Sequence, residues 1–224
     1  MKKISKAISL VLASVAASGV AFAASYYTEQ FDAGDQRGYT ADSDWAVGSY
    51  KGQCNAGDAV HGVAATAIGI RPDLRAHSVL CKSPFGVGSG SLGQFGTETT
   101  HSLTGGDDRA ETTTGDWDVG YTKAECAGYE AVTGVAQSGD ESLNMTTVLC
   151  TWIEQEFGSA DSGCNTLVFS SLEDNRLDTA SGDWAVGYSK NECGSTEVLR
   201  GVSSDPNTGE IHALLCCPAI PWPH

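Results

Sequence analysis

The chain has 224 residues, with 28 acidic against 13 basic side chains and a formal net charge of −15. A surface this acidic repels phosphate backbones and anionic lipid, so neither nucleic acid nor a membrane is an expected partner. Eight cysteines and 27 glycines point instead to a disulfide-stapled, turn-rich β protein.

At the N-terminus, Lys2, Lys3 and Lys6 precede an apolar run from Ala7 to Ala23 that ends in Ala21-Phe22-Ala23. This pattern reads as a secretory signal over residues 1–23. The run is short and rich in Ala, Ser and Gly, which argues against a membrane anchor. The signal holds three lysines and no acids, so the remainder carries 10 basic against 28 acidic residues, a net charge of −18. A secreted protein, extracellular or periplasmic, is expected.

Three copies of one motif then follow in fixed register: Asp44-Trp45-Ala46-Val47-Gly48, Asp116-Trp117-Asp118-Val119-Gly120 and Asp183-Trp184-Ala185-Val186-Gly187. Ten residues before each Trp is an Asp (Asp35, Asp107, Asp174), and eight before is an Arg (Arg37, Arg109, Arg176). Six after each Trp is a Lys (Lys51, Lys123, Lys190), nine after a Cys, and seventeen after a Gly (Gly62, Gly134, Gly201). Such periodicity marks one supersecondary unit used three times. The repeats are placed at residues 24–95, 96–160 and 161–224, about 67 residues each.

Within a repeat the apolar runs are short and broken by turn residues, which predicts an all-β fold of about four strands per repeat. In chain order, one strand precedes the Asp-x-Arg pair and one carries Trp-x-Val-x-Tyr. A third holds acid-x-Val-x-Gly-Val, and a fourth ends in the late Cys. Two architectures fit: a pseudo-three-fold fold of trefoil or prism type, or three small β modules in tandem. The second and third strands are expected to form a hairpin, facing Lys51 with Asp58, Lys123 with Glu130 and Lys190 with Glu197. Trp and Val would then share one face of the second strand.

The cysteines repeat as well. The early Cys54, Cys126 and Cys193 and the late Cys81, Cys150 and Cys216 suggest pairing within each repeat, which leaves Cys164 to bridge Cys217. Eight cysteines allow 105 pairings, and repeat equivalence singles out this one. Zinc is the competitor, but CxxC spacing is missing and a secreted chain meets an oxidising compartment.

The candidate ligand-binding residues are the recurring clusters Asp35, Arg37, Asp44, Trp45; Asp107, Arg109, Asp116, Trp117; and Asp174, Arg176, Asp183, Trp184. An Arg fork with carboxylates beside an indole is suited to a sugar: the ring packs on the pyranose and the carboxylates accept hydroxyl protons. The other reading is a buried ion-pair network that pins the turn, with each Trp a core residue. Trp152 and Trp222 stand outside the register. Gly88, Gly90 and Gly93 spell GxGxxG but lack the flanking strand and helix of a dinucleotide loop.

No cofactor is expected. Calcium is the one ion left open, by the acidic stretches at Asp42 with Asp44, Asp107-Asp108 and Glu173-Asp174, none of which has EF-hand spacing. GxSxG, HExxH and P-loop motifs are all missing, and His77 and His212 lack a counterpart in the second repeat, where Thr146 stands. Identical polar clusters in every repeat favour binding over catalysis. The leading expectation is a lectin-like, multivalent carbohydrate-binding protein. The alternatives are an extracellular structural or protein-interaction component (adhesin, envelope factor or inhibitor) and, third, a secreted hydrolase.

Overall fold

The computed structural model describes residues 25–31, 34–37, 44–66, 75–83, 97–103, 106–109, 115–152, 163–169, 175–178 and 181–219. The signal segment, the GxGxxG stretch, Asp42, Glu173, Asp174 and Trp222 lie outside these residues. The described chain is all-β, with fifteen strands in three five-stranded sheets.

The first third contributes β1 (Tyr26–Gln30), β2 (Gln36–Arg37), β3 (Ser49–Gln53), β4 (Ala59–Thr66) and β5 (Ala76–Lys82). The middle contributes β6 (Glu98–Ser102), β7 (Asp108–Arg109), β8 (Thr122–Glu125), β9 (Glu130–Ser138) and β10 (Met145–Trp152). The last third contributes β11 (Asn165–Val168), β12 (Asn175–Arg176), β13 (Tyr188–Glu192), β14 (Glu197–Ser204) and β15 (Ile211–Pro218). The additional strand in each third is the short Asp-x-Arg segment, which pairs in parallel with the strand after Trp.

The sheets run β1-β5-β4-β13-β12, β6-β10-β9-β3-β2 and β11-β15-β14-β8-β7. Each therefore takes three strands from one third of the chain and two from another. The segments are not three separately closed modules in tandem.

The expected hairpin is overturned by this pairing. β3 pairs with β9, β8 with β14 and β13 with β4. Lys51, Lys123 and Lys190 consequently face Ala136, Ser203 and Ala64 across the ladder, not the acids of their own repeat. The reason is the segment between the two strands, Cys-x-x-Gly in the first repeat, Cys-x-Gly in the second and Cys-Gly in the third. Its turn is braced by backbone bonds such as Asp58 N to Asn55 O (3.0 Å) and Glu197 N to Gly194 O (2.9 Å), and it hands the chain on to another sheet.

A second correction concerns Trp-x-Val, which is a turn and not strand. Ser49 N donates to Ala46 O at 3.1 Å, with the same bond in the other copies, and Gly48, Gly120 and Gly187 take φ of 76°, 89° and 84°. Positive φ at the third turn position is the reason Gly recurs there. Trp and Val do not share a face: the indoles are half-buried, whereas Val47, Val119 and Val186 are 85%, 77% and 78% exposed at the turn tips.

The central strands β4, β9 and β14 are buried along nearly their whole length, since neighbours flank both edges and their apolar side chains enter one core. That core gathers Val60, Val63, Val135, Val148, Leu199 and Val202 with six of the cysteines. Ala59, Ala131 and Val198, the first or second residues of the three central strands, form a cluster of their own. The four disulfides are Cys54–Cys81, Cys126–Cys150, Cys193–Cys216 and Cys164–Cys217, the pairing expected from the register. Closing loops of this size stabilises the fold by roughly 3 kcal/mol each. Four such bridges accord with an oxidising environment.

Candidate functional site

Each Asp-Trp-x-Val-Gly turn rests on a buried lysine. Lys51 is 1% exposed, and its Nζ lies 3.1 Å from both Asp35 and Asp44 and donates to Ser49 O at 2.7 Å. Lys123 repeats this with Asp107 (3.3 Å), Asp116 (3.0 Å) and the carbonyls of Asp118 (2.8 Å) and Tyr121. Lys190 repeats it with Asp183 (3.0 Å), Ala185 O (2.8 Å) and Tyr188 O (2.7 Å). A buried ammonium requires this many oxygens, because an unmatched charge in the interior costs several kcal/mol.

The carboxylates above the lysines stay at the surface: Asp35, Asp44, Asp107, Asp116 and Asp183 are between a third and half exposed. The Lys123 and Lys190 hydrogen bonds hold Asp116 and Asp183 below the usual carboxylate range. For Asp44 burial works the other way, but the Lys51 hydrogen bond and the Ala46 amide outweigh it and the net direction is down. All three are therefore ionised acceptors at neutral pH, preorganised by the lysine beneath.

The arginines brace the same turn. Arg37 Nε lies 3.1 Å from Asp35 and Arg109 Nε 3.5 Å from Asp107. Arg109 Nη1 donates to Gly115 O at 2.5 Å, and Arg176 Nη1 donates to Gly182 O. The tryptophans are also occupied: Trp45 Nε1 donates to Gln53 Oε1 (3.0 Å), Trp117 to Glu125 (3.1 Å) and Trp184 to Glu192 (3.1 Å). Trp45 and Trp117 pack so closely on Gly134 and Gly201 that an added Cβ would come within 2.9 and 3.1 Å of their rings. Of the predicted clusters, the structure thus assembles Asp, Arg, Asp and Trp around one turn in the first two repeats, and Arg176, Asp183 and Trp184 in the third. These side chains form an internal ion-pair and hydrogen-bond network below and leave a polar surface above.

Two features were missed. The acceptor eight residues after each Trp (Gln53, Glu125, Glu192) is visible in the register as a recurring acid or amide. The lysines stand out by their constant spacing, but they pair with the Asp before the turn and not with the acids beyond Cys. Glu130 instead accepts from Ala127 N and Thr99 Oγ1, both at 3.1 Å, and Glu197 from Gly194 N (2.7 Å) and Asn165 Nδ2 (2.6 Å). Those acids cap the turn after Cys and hold the first strand of their own repeat.

The odd residues pair with each other across the sheets. Tyr188 stacks on His77 (centroids 3.7 Å apart, planes at 3°) and Tyr121 on His212 (3.4 Å, 6°). At the third such junction Ser49 meets Thr146, Oγ to Oγ1, at 3.4 Å. The copy lacking Tyr therefore faces the copy lacking His. His212 Nδ1 also lies 2.8 Å from Asp118 Oδ2, and buried Ser203 donates to that same carboxylate, so Asp118 stands between the two rather than His212 activating the hydroxyl.

Of the acidic stretches, Asp107 is engaged as above, and Asp108 accepts from Ser102 N (3.1 Å) and lies 3.3 Å from His101. Trp152 is exposed at the end of β10. A shallow recess is lined by Gln53, Asn55, Asp58, Glu98, Thr133 and Thr151. No protein-family model, no curated protein and no solved structure matches the chain.

Proposed function

We propose that the chain is a secreted, non-catalytic carbohydrate-binding protein whose three repeats close into a pseudo-three-fold ring, each presenting one weak site on its Asp-Trp-x-Val-Gly turn. The observation that carries this reading is the solvent-facing carboxylate pair held over a buried lysine: Asp35 with Asp44, and Asp107 with Asp116. Fixed, ionised acceptors suit sugar hydroxyls because little ordering is left for the ligand to impose. The Arg beside them supplies donors, and the exposed Val with the half-buried indole offers an apolar surface for pyranose C–H groups. Three such sites in one chain would gain avidity on a repeating polymer.

The strand order supports the ring: β3, β8 and β13 each leave their own repeat for the sheet of another, the last returning to the first. The same exposed valines favour a second reading, an extracellular protein partner gripped by the turn tips.

A glycan and polysaccharide array probed with oxidised protein tests the proposal, using Val119→Ser and Asp116→Asn beside the parent. Val119 is so exposed that its replacement should leave stability within about 0.5 kcal/mol. A saturable hit weakened by both changes supports the sugar reading. An array negative from folded protein, with a protein ligand lost on Val119→Ser, replaces it by the second.

A further inference from the structure

Away from the turns, one place in the fold buries a cluster of titratable groups. Where β4 meets β13, His61 of β4, Glu192 of β13 and Asp178 just beyond β12 bring an imidazole nitrogen and two carboxylate oxygens within 4.8 Å of one another. All three are buried, His61 to 3% exposure. His61 Nε2 points between the carboxylates, 3.5 Å from Asp178 Oδ2 and 3.8 Å from Glu192 Oε1, and has no hydrogen-bond partner. Burial pushes its pKa down to about 3, so the ring is neutral with a lone pair to offer.

These separations suit a shared ion better than direct contact. Metal–ligand bonds of about 2.0–2.2 Å in tetrahedral array place neighbouring donor atoms roughly 3.3–3.6 Å apart. The surroundings orient the donors as an outer shell does around a metal. Trp184 Nε1 and Ser181 Oγ hold Glu192 at 3.1 and 2.7 Å, and Tyr26 Oη donates to Asp178 at 2.5 Å. Lys82 Nζ lies 2.9 Å from the same Asp178 oxygen and 3.0 Å from Ser195 O, and so competes for that carboxylate.

The other two junctions lack this donor set. Cys193 N donates to His61 O, and the matching bonds run from Cys54 N to Thr133 O and from Cys126 N to Arg200 O. Thr133 there accompanies Gln53, and Arg200 accompanies Glu125. We propose that His61, Asp178 and Glu192 form a single binding site for a zinc-type divalent ion, which would staple β4 near the start of the chain to β12 and β13 near its end. One imidazole with two carboxylates selects such a metal over calcium, which takes six to eight oxygens.

Zinc chloride titrated into oxidised, chelator-treated protein tests the site, read by calorimetry and thermal melting, with cobalt(II) absorption as a spectroscopic signature. The expected result is one saturable event per chain, a Tm that rises with zinc, and a visible cobalt band of low-coordinate intensity. His61→Thr and Glu192→Gln copy residues found at the matching junctions, so both should fold, and both should abolish the event. Lys82→Thr, copying Thr151, should tighten it by removing the competing ammonium. A parent without a saturable event overturns the proposal. So does an event that persists in both His61→Thr and Glu192→Gln, which would assign the ion to another imidazole such as His101 or His212.

Discussion

Replacing His77 and Tyr188 singly and together probes the exchange of strands between repeats, because these residues meet only if β13 lies beside β4 and β5. Their rings stack at 3.7 Å with planes 3° apart. Tyr188 is half-buried, so Tyr188→Ser returns roughly 100 Å² of apolar surface to water and should cost about 2–3 kcal/mol. The stacking itself accounts for about 0.5–1.5 kcal/mol beyond burial. The double variant Tyr188→Ser/His77→Thr recreates the Ser49–Thr146 pair already present at another junction. It should therefore be more stable than the sum of the single losses by about 0.5–1.5 kcal/mol. Denaturant melts with disulfides intact would measure the four corners of the cycle. Additivity within about 0.3 kcal/mol would refute the contact.

Other consequences follow from the packing. A Cβ at Gly62 would lie 2.8 Å from the backbone oxygen of Asn191 on the neighbouring strand, so Gly62→Ala should cost about 1–3 kcal/mol, visible as a Tm drop of several degrees. Gly134→Ala meets a side chain, the Trp45 ring at 2.9 Å, and should be milder. Lys123→Met takes the ammonium from the Tyr121 carbonyl, from Asp107 and Asp116, and from Asp118 O, which keeps only the Tyr121 amide, and chemical denaturation should show a loss of roughly 2–4 kcal/mol. The Lys123 hydrogen bond depresses the Asp116 pKa, so its stabilisation is present above the ordinary carboxylate pKa and is lost as pH falls through the depressed value. Acid titration of stability should show this loss in the parent and a shallower one in Lys123→Met.

The disulfides were legible because both members of three pairs belong to one repeat, so a register read along the chain is enough to match them. Strand exchange was not legible from the shared motif. The strand after Trp is nearly alike in all three repeats, and a common pattern cannot say which central strand it joins. Only the departures carry that information: Ser49 replaces Tyr where the facing strand has Thr146 in place of His. Lys51, Lys123 and Lys190 stand at constant spacing, but their partners lie back along the chain, at the Asp seven residues before and, for Lys51 and Lys123, also at the Asp sixteen before. The turn at Trp-x-Val was hidden because its alternating polarity imitates a half-buried strand, and Gly at the fifth motif position was the cue to the contrary. His61, Asp178 and Glu192 escaped because the fold joins them across the ends of the chain with no repeating period.

The stoichiometry of sugar binding tests the central claim most directly. Oxidised protein titrated with an oligosaccharide selected from the array should bind close to three molecules per chain, falling to two in Asp116→Asn with the Tm little changed. A stoichiometry of one, or three sites indifferent to changes at Asp44, Asp116 and Asp183, would contradict the account.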